Sequence, residues 1–518
     1  MAAGREVEVR LTVPSGELRR LGRAAAQAGA KRTGAPKTIR SVYFDTRKHR
    51  LHDKGYLLRI RRNGQDSVQT VRTIKPTNDG LGRSEWDAAM HGDRPVAAAA
   101  EHSPLSKLLR KQDDWEKLRP VFTVEVDRDT YLLERGDTTI EITLDEGVVS
   151  DGHAEQNIAE AELELKTGDP QALFAFAREI SAGVPSLVSL TSKGERGYRL
   201  LAGDASRPTT SLVFDLSRDM STAEAIRAIG LTCLSALFDN LAILIAGAGM
   251  EALHQSRVCV RRLRAIMSLF GGVLEWEDET ALKAELKWLS DLLGEGRETD
   301  VFLKSVLEPT AAANPDIAGF TPFLADFHER HDKAYADIIA NLHSDRVSRL
   351  SLDLVSHFDA LLAPAKPPGK AGRKRGMTIK RFAAKALRRR LRSLLQDSRK
   401  MEQLKPQELH RIRIRAKKLR YMAEPFAGIV SWKRFDNVVS SLHAIQDALG
   451  DLNDCKVNRE IALAYAQKVL AGPGDHSSLV AAGLVTARCA GNETTALSKA
   501  RVARDSIARV SALRFKES

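Results

Sequence analysis

A chain of 518 residues has room for two to four domains, each able to bury its own core without disulfide or metal staples. With 43% hydrophobic and 28% charged residues it has a globular composition and not a disordered or fibrous one. The formal charge of +13 points to an anionic partner, and it is concentrated in a patch. Lys370 to Arg420 holds 20 Lys or Arg against Asp397, Glu402 and Glu408, an excess larger than the net charge of the whole chain. The four cysteines lie far apart with no CxxC pair, and no signal peptide is read at the start, so reduced thiols in the cytoplasm are expected.

In chain order, the first segment alternates: Glu6, Glu8 and Arg10 fall on one face of a strand, Val7, Val9 and Leu11 on the other. Gly16 to Gly29 reads as a helix. Tyr56 to Arg62 puts Arg59 and Arg61 on one face of a further strand; Val68 to Lys75 ends with Thr73 and Lys75, and Ser84 to Trp86 carries Glu85. Val121 to Tyr131, Thr138 to Asp145 and Ala159 to Lys166 keep the same period, the last with Glu160, Glu162 and Glu164 on one side. A second helix is expected over Pro170 to Ala182, and Lys193 follows in the segment SKGERGY.

About eight strands that present charges of both signs to one side do not suit an apolar sandwich. They predict an eight-stranded antiparallel β-barrel with helices, closed around a polar lumen that can hold a ligand. Carboxylates on two strands suit a hard divalent cation, Mg²⁺ or Mn²⁺. A ring of Arg and Lys suits the remaining charge of a polyphosphate, which Arg grips bidentately.

These residues carry a resemblance to the CYTH domain, the triphosphate tunnel metalloenzyme family, whose signature is ExExK in the first strand. The similarity includes Glu6 and Glu8, YFDT at Tyr43 to Thr46, LRIR at Leu58 to Arg61, Lys75, RSE at Arg83 to Glu85, Arg128, Asp145, ELELK at Glu162 to Lys166, and SKxxRGY at Ser192 to Tyr198. The resemblance implies that Glu6, Glu8, Asp145, Glu162 and Glu164 hold the metal. It implies that Arg40, Arg59, Arg61, Lys75, Arg128, Lys166 and Arg196 hold triphosphate, with Glu6, Glu8, Arg10 and Lys193 in catalysis. Arg10 stands where the signature has lysine, which keeps the charge and changes the geometry of phosphate contact.

Leu201 to Leu212 is rich in turn residues and sets a boundary: 1–201 as the tunnel domain, 202–218 as a linker, and 219–518 as an all-α domain. Ser221, with Glu224 three residues on, has capping-box spacing. Gly230 to Gly249 is apolar enough to raise a membrane span, but Asp239 and Asn240 within it favour a buried helix. Ala363 to Gly376 combines Pro, Gly and five cations and divides the helical part into 219–362 and 377–518.

Leu409 to Tyr421 places His410, Arg413, Lys417 and Arg420 on one strip of a helix, beside an apolar strip of Leu409, Ile412, Ala416 and Leu419. His254, Arg257, Arg261 and Arg264 repeat the arrangement at an offset of 156, which holds without a gap from 251–301 to 407–457. Identities at that offset include Phe270/Phe426, Trp276/Trp432, Gly294/Gly450 and Val301/Val457. The C-terminal part therefore reads as a duplicated unit, expected to form two pseudo-symmetric four-helix bundles. It resembles the CHAD domain, an α-helical fold named for its conserved histidines. A second signature appears as LGEGRETDV at Leu293 to Val301 and, degraded, as LGDLNDCKV at Leu449 to Val457. The resemblance implies polyphosphate binding by the eight His, Arg and Lys residues of the two strips, and CHAD domains commonly follow a CYTH domain.

The sequence thus reads as a metal-dependent inorganic triphosphatase joined to a polyphosphate-binding module, cytoplasmic and associated with polyphosphate granules. The alternative is a polyphosphate-binding protein whose tunnel is slow or inactive, which Arg10 favours. No nucleic-acid partner is expected, because aromatic residues make up 5% of the chain and none interleave with the arginines. No membrane partner is expected, and nothing identifies a protein partner. Adenylate cyclase and thiamine triphosphatase activities also occur on the barrel fold, but neither a base pocket nor a thiamine site can be read from these residues.

Overall fold

A computed structural model describes residues 4–5, 7–63, 66–74, 82–247, 249–274, 276, 278–362, 370–398, 404–429, 435–472, 476–489, 498–499 and 502. The chain divides into two compact units. One is Met1–Thr210 with Leu234–Ala252 and Ala340–Ala363; the other is Ser211–Cys233 with Leu253–Ile339 and Pro364–Ser518.

The first unit is organised on one sheet: β1 (Gly4–Arg5), β2 (Val7–Thr12), β3 (Lys31–Arg32), β4 (Lys37–Asp45), β5 (Tyr56–Asn63), β6 (Asp66–Thr73), β7 (Ser84–Met90), β8 (Arg119–Arg135), β9 (Thr138–Ser150), β10 (Glu155–Thr167) and β11 (Leu187–Val188). Ten strands form one hydrogen-bonded path in the order β1, β7, β6, β5, β4, β8, β9, β10, β2, β11, and β3 pairs with β8 off that path. Every pairing is antiparallel. This corrects the expected eight-stranded closed barrel. Among the described residues there are eleven strands and the path is open. The extra strands include three of only two residues, β1, β3 and β11, too short to show any alternation. The path also shows how the first stretch of chain is shared: β1 pairs with β7, and β2, one residue later, pairs with β10.

Helices α1 (Leu18–Gln27) and α5 (Pro170–Ser181) lie where the sequence placed them, and the short α2 (Arg50–Asp53), α3 (Leu105–Leu108) and α4 (Gln112–Glu116) were not read. Nor was α6 (Lys193–Leu201), which begins on the lysine of SKGERGY. Its start is a capping box, in which Ser192 Oγ accepts from the Glu195 N–H and Glu195 Oε2 accepts from the Ser192 N–H at 2.8 Å.

The glycines of that motif seat α6. A Cβ on Gly197 would overlap the Phe122 ring, and one on Gly194 would stand 2.7 Å from Leu57 Cδ1. Phe122 stacks on Tyr43 at 4.5 Å and meets Tyr198 edge-on at 5.2 Å. The Tyr198 hydroxyl donates to Asp45 at 2.8 Å, and the same carboxylate accepts from the N–H groups of Thr46, Leu51 and His52. YFDT is therefore the turn that fastens both α2 and α6. Gly197→Ala is expected to destabilise this unit by about 2 kcal/mol through overpacking. Chemical denaturation tests this, and an unchanged midpoint would mean that α6 does not pack on Phe122.

The remaining helices are α7 (Thr222–Ile245), α8 (Gly249–Leu274), α9 (Glu279–Phe302), α10 (Glu308–Ala312), α11 (Phe320–Leu342), α12 (Asp345–Asp359), α13 (Lys370–Arg375), α14 (Ile379–Asp397), α15 (Pro406–Ala423), α16 (Phe435–Ala471) and α17 (Ser478–Cys489). An offset of 156 carries the starts of α7, α8 and α9 to within one residue of the starts of α14, α15 and α16. The duplication therefore extends to the helix boundaries. Thr222 N–H donates to the Met377 carbonyl at 2.8 Å and Ile379 N–H to that of Met220 at 2.9 Å, so the two copies begin side by side.

The capping box at Ser221 forms as expected, with Ser221 N–H donating to Glu224 at 2.7 Å. Phe270, whose counterpart is Phe426, stacks on Phe382 at 5.0 Å and meets Phe426 edge-on at 6.3 Å. Helix α7 is long and apolar enough to cross a membrane, but 67% of its most apolar window is buried inside the protein. Of the expected basic linker, residues 363–369 lie outside the described set, and α13 carries the rest of its cations.

Candidate functional sites: a charged cavity and a duplicated cation cluster

The first unit holds a cavity of ≈ 690 Å³ whose wall includes Glu8, Arg59, Arg61, Arg72, Arg128, Glu162, Glu164, Lys166 and Lys193. Strand register assembles it. Arg10 lies opposite Glu162 and Glu8 opposite Glu164 on β2 and β10, and Arg59 lies opposite Thr70 on β5 and β6. Successive residues of a strand alternate faces, so these charges share one side. Leu58, Ile60 and Val71 are left to pack in an apolar cluster on the other.

The charges are paired. Glu8, 8% exposed, accepts from Arg10, from Arg72 Nη2 at 2.6 Å and from Arg83 Nη1 at 3.4 Å. Glu162 accepts from Arg10 Nε at 3.2 Å and Arg128 Nη2 at 3.4 Å, and lies 3.0 Å from Lys193 Nζ. Arg128 grips Asp145 through two bonds of 2.7 and 2.6 Å. An ammonium has three donors. The three nearest carboxylates of Lys193 are Glu160, Glu162 and Asp145, the last at 2.8 Å, so in this arrangement Lys193 is a hub for anions beneath the cavity. Arg59 reaches Glu85 at 2.9 Å, and Lys166 reaches Glu164 at 2.6 Å.

Titration follows these contacts. Burial opposes ionisation of Asp145 and Glu162, yet Lys193 with Arg128 at the first, and Lys193 with Arg10 at the second, hold both carboxyls below their ordinary range. Arg61 is pushed down to about 10 by Arg59, burial and Arg128. Arg10 comes to about 10 through burial and the neighbouring Arg83. A wall of crowded guanidinium groups gains from any anion that enters.

Several expected residues are placed otherwise. Glu6 and Lys75 lie outside the described residues. Arg40 is exposed, with Arg62 opposite it on β5 and Glu125 3.8 Å away, so it faces away from Arg59 and Arg61. Arg196 is turned from the cavity toward Glu160, 2.9 Å away. The face read on β6 is reversed: Thr70 and Arg72 line the cavity, and Val71 belongs to the apolar cluster. Arg72, Arg83, Glu160 and Glu141 were missed as site residues. Arg83 and Glu85 stood in the RSE motif, which was the available signal.

In kind, the donors fit a hard divalent cation: Glu8 and Glu164 are cross-strand neighbours, with Glu162 two residues along the same face. As arranged each is ion-paired, and among the described residues no three acidic, His or Cys side chains converge as a ready ligand set. Metal binding here would require Glu8 to exchange guanidinium partners for the cation.

The second unit brings the two basic strips together. Arg261 of α8 acts on both Arg413 and Lys417 of α15. Lys417 is driven down to about 7 by burial and by Arg261, Arg413 and Arg420. Arg257 falls to about 10 through burial and Arg261. The buried Nε atoms of Arg257, Arg413 and Arg420 have no hydrogen-bond partner among the described residues. His410 Nδ1 lies 2.7 Å from Asn453 Oδ1, and His254 sits one turn before Arg257 on α8. The symmetry breaks at the last pair. Arg420 is buried against Glu424, His443 and the Tyr421 ring, whereas Arg264 is exposed and acts on Lys418 beside Arg390 and Lys283.

The CYTH domain profile matches residues 4–198 and the CHAD domain profile residues 228–463. An inorganic triphosphatase of Haemophilus influenzae is 30% identical over 166 residues, 31% of this chain and 45% of that protein, so the match spans less than half of this relative. An uncharacterized protein of Mycobacterium tuberculosis is 24% identical over 464 residues, 82% of each chain. The crystal structure of the CHAD domain from the plant Ricinus communis superposes with a TM-score of 0.51 at 25% identity, covering 60% of this chain and 98% of that one.

Proposed function

From the premise that this chain is a CYTH domain followed by a CHAD domain, we propose that it is an inorganic triphosphatase carrying a polyphosphate-binding helical module. The observation that carries the first half is one cavity lined by Arg59, Arg61, Arg72, Arg128 and Lys166 beside the carboxylates Glu8, Glu162 and Glu164. The chain's own residues bind and orient. The guanidinium groups spread along the wall hold non-bridging oxygens bidentately, and the N-terminus of α6 adds the positive end of a helix dipole at Ser192 to Gly194. Phosphoryl transfer to water is mostly positioning and charge stabilisation, which such a wall supplies. Mg²⁺ or Mn²⁺, held by Glu8, Glu162 and Glu164 with Glu6, would neutralise charge on the phosphate oxygens.

The second half rests on the facing of Arg261 with Arg413 and Lys417, which makes one cationic surface from two copies of one helix. A phosphate chain neutralises such a surface and releases counterions, so binding falls steeply with salt. Replacing Arg257, Arg413 and Lys417 by Ala is expected to lower the slope of log affinity against log salt by about three, one per contact. Salt-titrated polyphosphate binding measures this, and an unchanged slope would place the anion elsewhere.

Phosphate release from inorganic triphosphate with Mg²⁺ or Mn²⁺, against EDTA, tests the enzyme reading. Rapid release abolished by EDTA supports it. One observation favours the second reading, a binding protein with a slow tunnel: Glu8 is saturated by Arg10, Arg72 and Arg83. No release together with tight polyphosphate binding would establish that reading instead.

A further inference from the structure

We propose that Gly294 is a positioning residue of the polyanion surface: its missing side chain lets the Arg257 guanidinium lie against the backbone of α9. The inference rests on the polyphosphate reading above. A Cβ on Gly294 would stand 2.7 Å from Arg257 Nη1, 3.7 Å from Cζ and 3.8 Å from Nη2. Arg257 Nη1 donates to the Ser290 carbonyl oxygen at 3.4 Å. In an α-helix that carbonyl is the partner of the N–H four residues on, which is that of Gly294. Arg257 thus shares a helix carbonyl at the one residue of that turn without a side chain, and its buried Nε has no partner among the described residues.

The second copy supports a role in the site rather than in the helix. Gly450 stands at the same repeat position, and its Cβ would lie 3.8 Å from both Nε and Nη2 of Arg413. Each copy therefore keeps a glycine beneath the equivalent guanidinium, tight at Gly294 and with ordinary clearance at Gly450. Glycine inside a helix weakens it by about 1 kcal/mol relative to alanine, so helix stability does not explain either. The guanidinium is the flexible neighbour, and a methyl group at 294 would displace it from Ser290.

The test is a double-mutant cycle on the full chain, read as affinity for long-chain inorganic polyphosphate at fixed low salt. Gly294→Ala is expected to weaken binding about fivefold and lower the salt slope by about one, with an unchanged or higher denaturation midpoint. Arg257→Ala should weaken binding comparably, and the double variant no more than Arg257→Ala alone, because Gly294 acts through that side chain. Wild-type affinity in Gly294→Ala, a lowered midpoint, or fully additive losses would each overturn the assignment. Wild-type protein that binds no polyphosphate would instead refute the reading on which it rests.

Discussion

Glu162→Gln is expected to lower kcat for inorganic triphosphate by about 10²- to 10³-fold while leaving KM within a few-fold of wild type. Arg10, Arg128 and Lys193 converge on this one carboxylate from three different elements, β2, β8 and α6. Glutamine keeps the shape and loses the charge, so the cavity becomes more positive and the substrate anion still binds. What is lost is one counter-charge shared by the three cations and one of the carboxylates that would hold the divalent cation. Each cation keeps another carboxylate, Glu8 at Arg10, Asp145 at Arg128, and Asp145 with Glu160 at Lys193, so the loss is that of one shared partner, about 1 kcal/mol, and the midpoint of urea unfolding should fall modestly. Triphosphate, a replacement anion, should restore part of it.

The pH dependence has a defined sign. Lys193, Arg10 and Arg128 outweigh burial and hold the Glu162 carboxyl well below its ordinary range. Its contribution to stability is therefore present above the unfolded carboxyl pKa of about 4.3 and lost as pH falls through the folded value. The variant should show a shallower loss of stability in acid than wild type. Steady-state kinetics with Glu162→Asp as the conservative comparison decide the catalytic claim. Wild-type kcat in Glu162→Gln would remove the carboxylate floor from the mechanism.

Strands β2 and β5 to β10, helices α1 and α5, the duplication and most of the cavity wall were legible in the sequence, because period-two alternation and a fixed repeat offset are local signals. Glu8, Arg59, Arg61, Arg128, Glu162, Glu164 and Lys193 all come to one site. The failures are non-local. Arg72 escaped because Val71 and Thr73 flank it, and which face of β6 meets the cavity is decided by pairing with β5, not by the segment itself. The resemblance puts Arg40 among the substrate ligands, but register sets it beside Arg62. Helix α6 escaped because Lys, Gly, Glu and Arg show little apolar periodicity; what holds it is Asp45, some 150 residues earlier, through the Tyr198 hydroxyl. The facing of Arg261 with Lys417 was invisible for the same reason. A repeat offset says that two helices are alike and does not say that they meet.

On the proposed polyphosphate reading, that meeting makes binding proton-linked. Lys417 stands among Arg261, Arg413 and Arg420 with Asp454 as the nearby acid, and burial with those three cations brings its ammonium to about 7. A bound polyanion offsets the three cations and returns the group toward its ordinary value near 10.4. Binding therefore takes up a proton wherever the free lysine is neutral, and affinity should fall by up to about tenfold per pH unit above pH 7.5, levelling below pH 6. His443, held below its ordinary value by burial and Arg420, titrates on the acid side and does not produce that slope. Arg does not deprotonate in this range, so Lys417→Arg should bind polyphosphate with nearly pH-independent affinity between pH 7 and 9. Calorimetric titrations in two buffers of different ionisation enthalpy measure the uptake directly. Equal heats in both buffers at pH 8, or a slope that survives in Lys417→Arg, would show that this lysine stays charged and that the two basic strips do not crowd it.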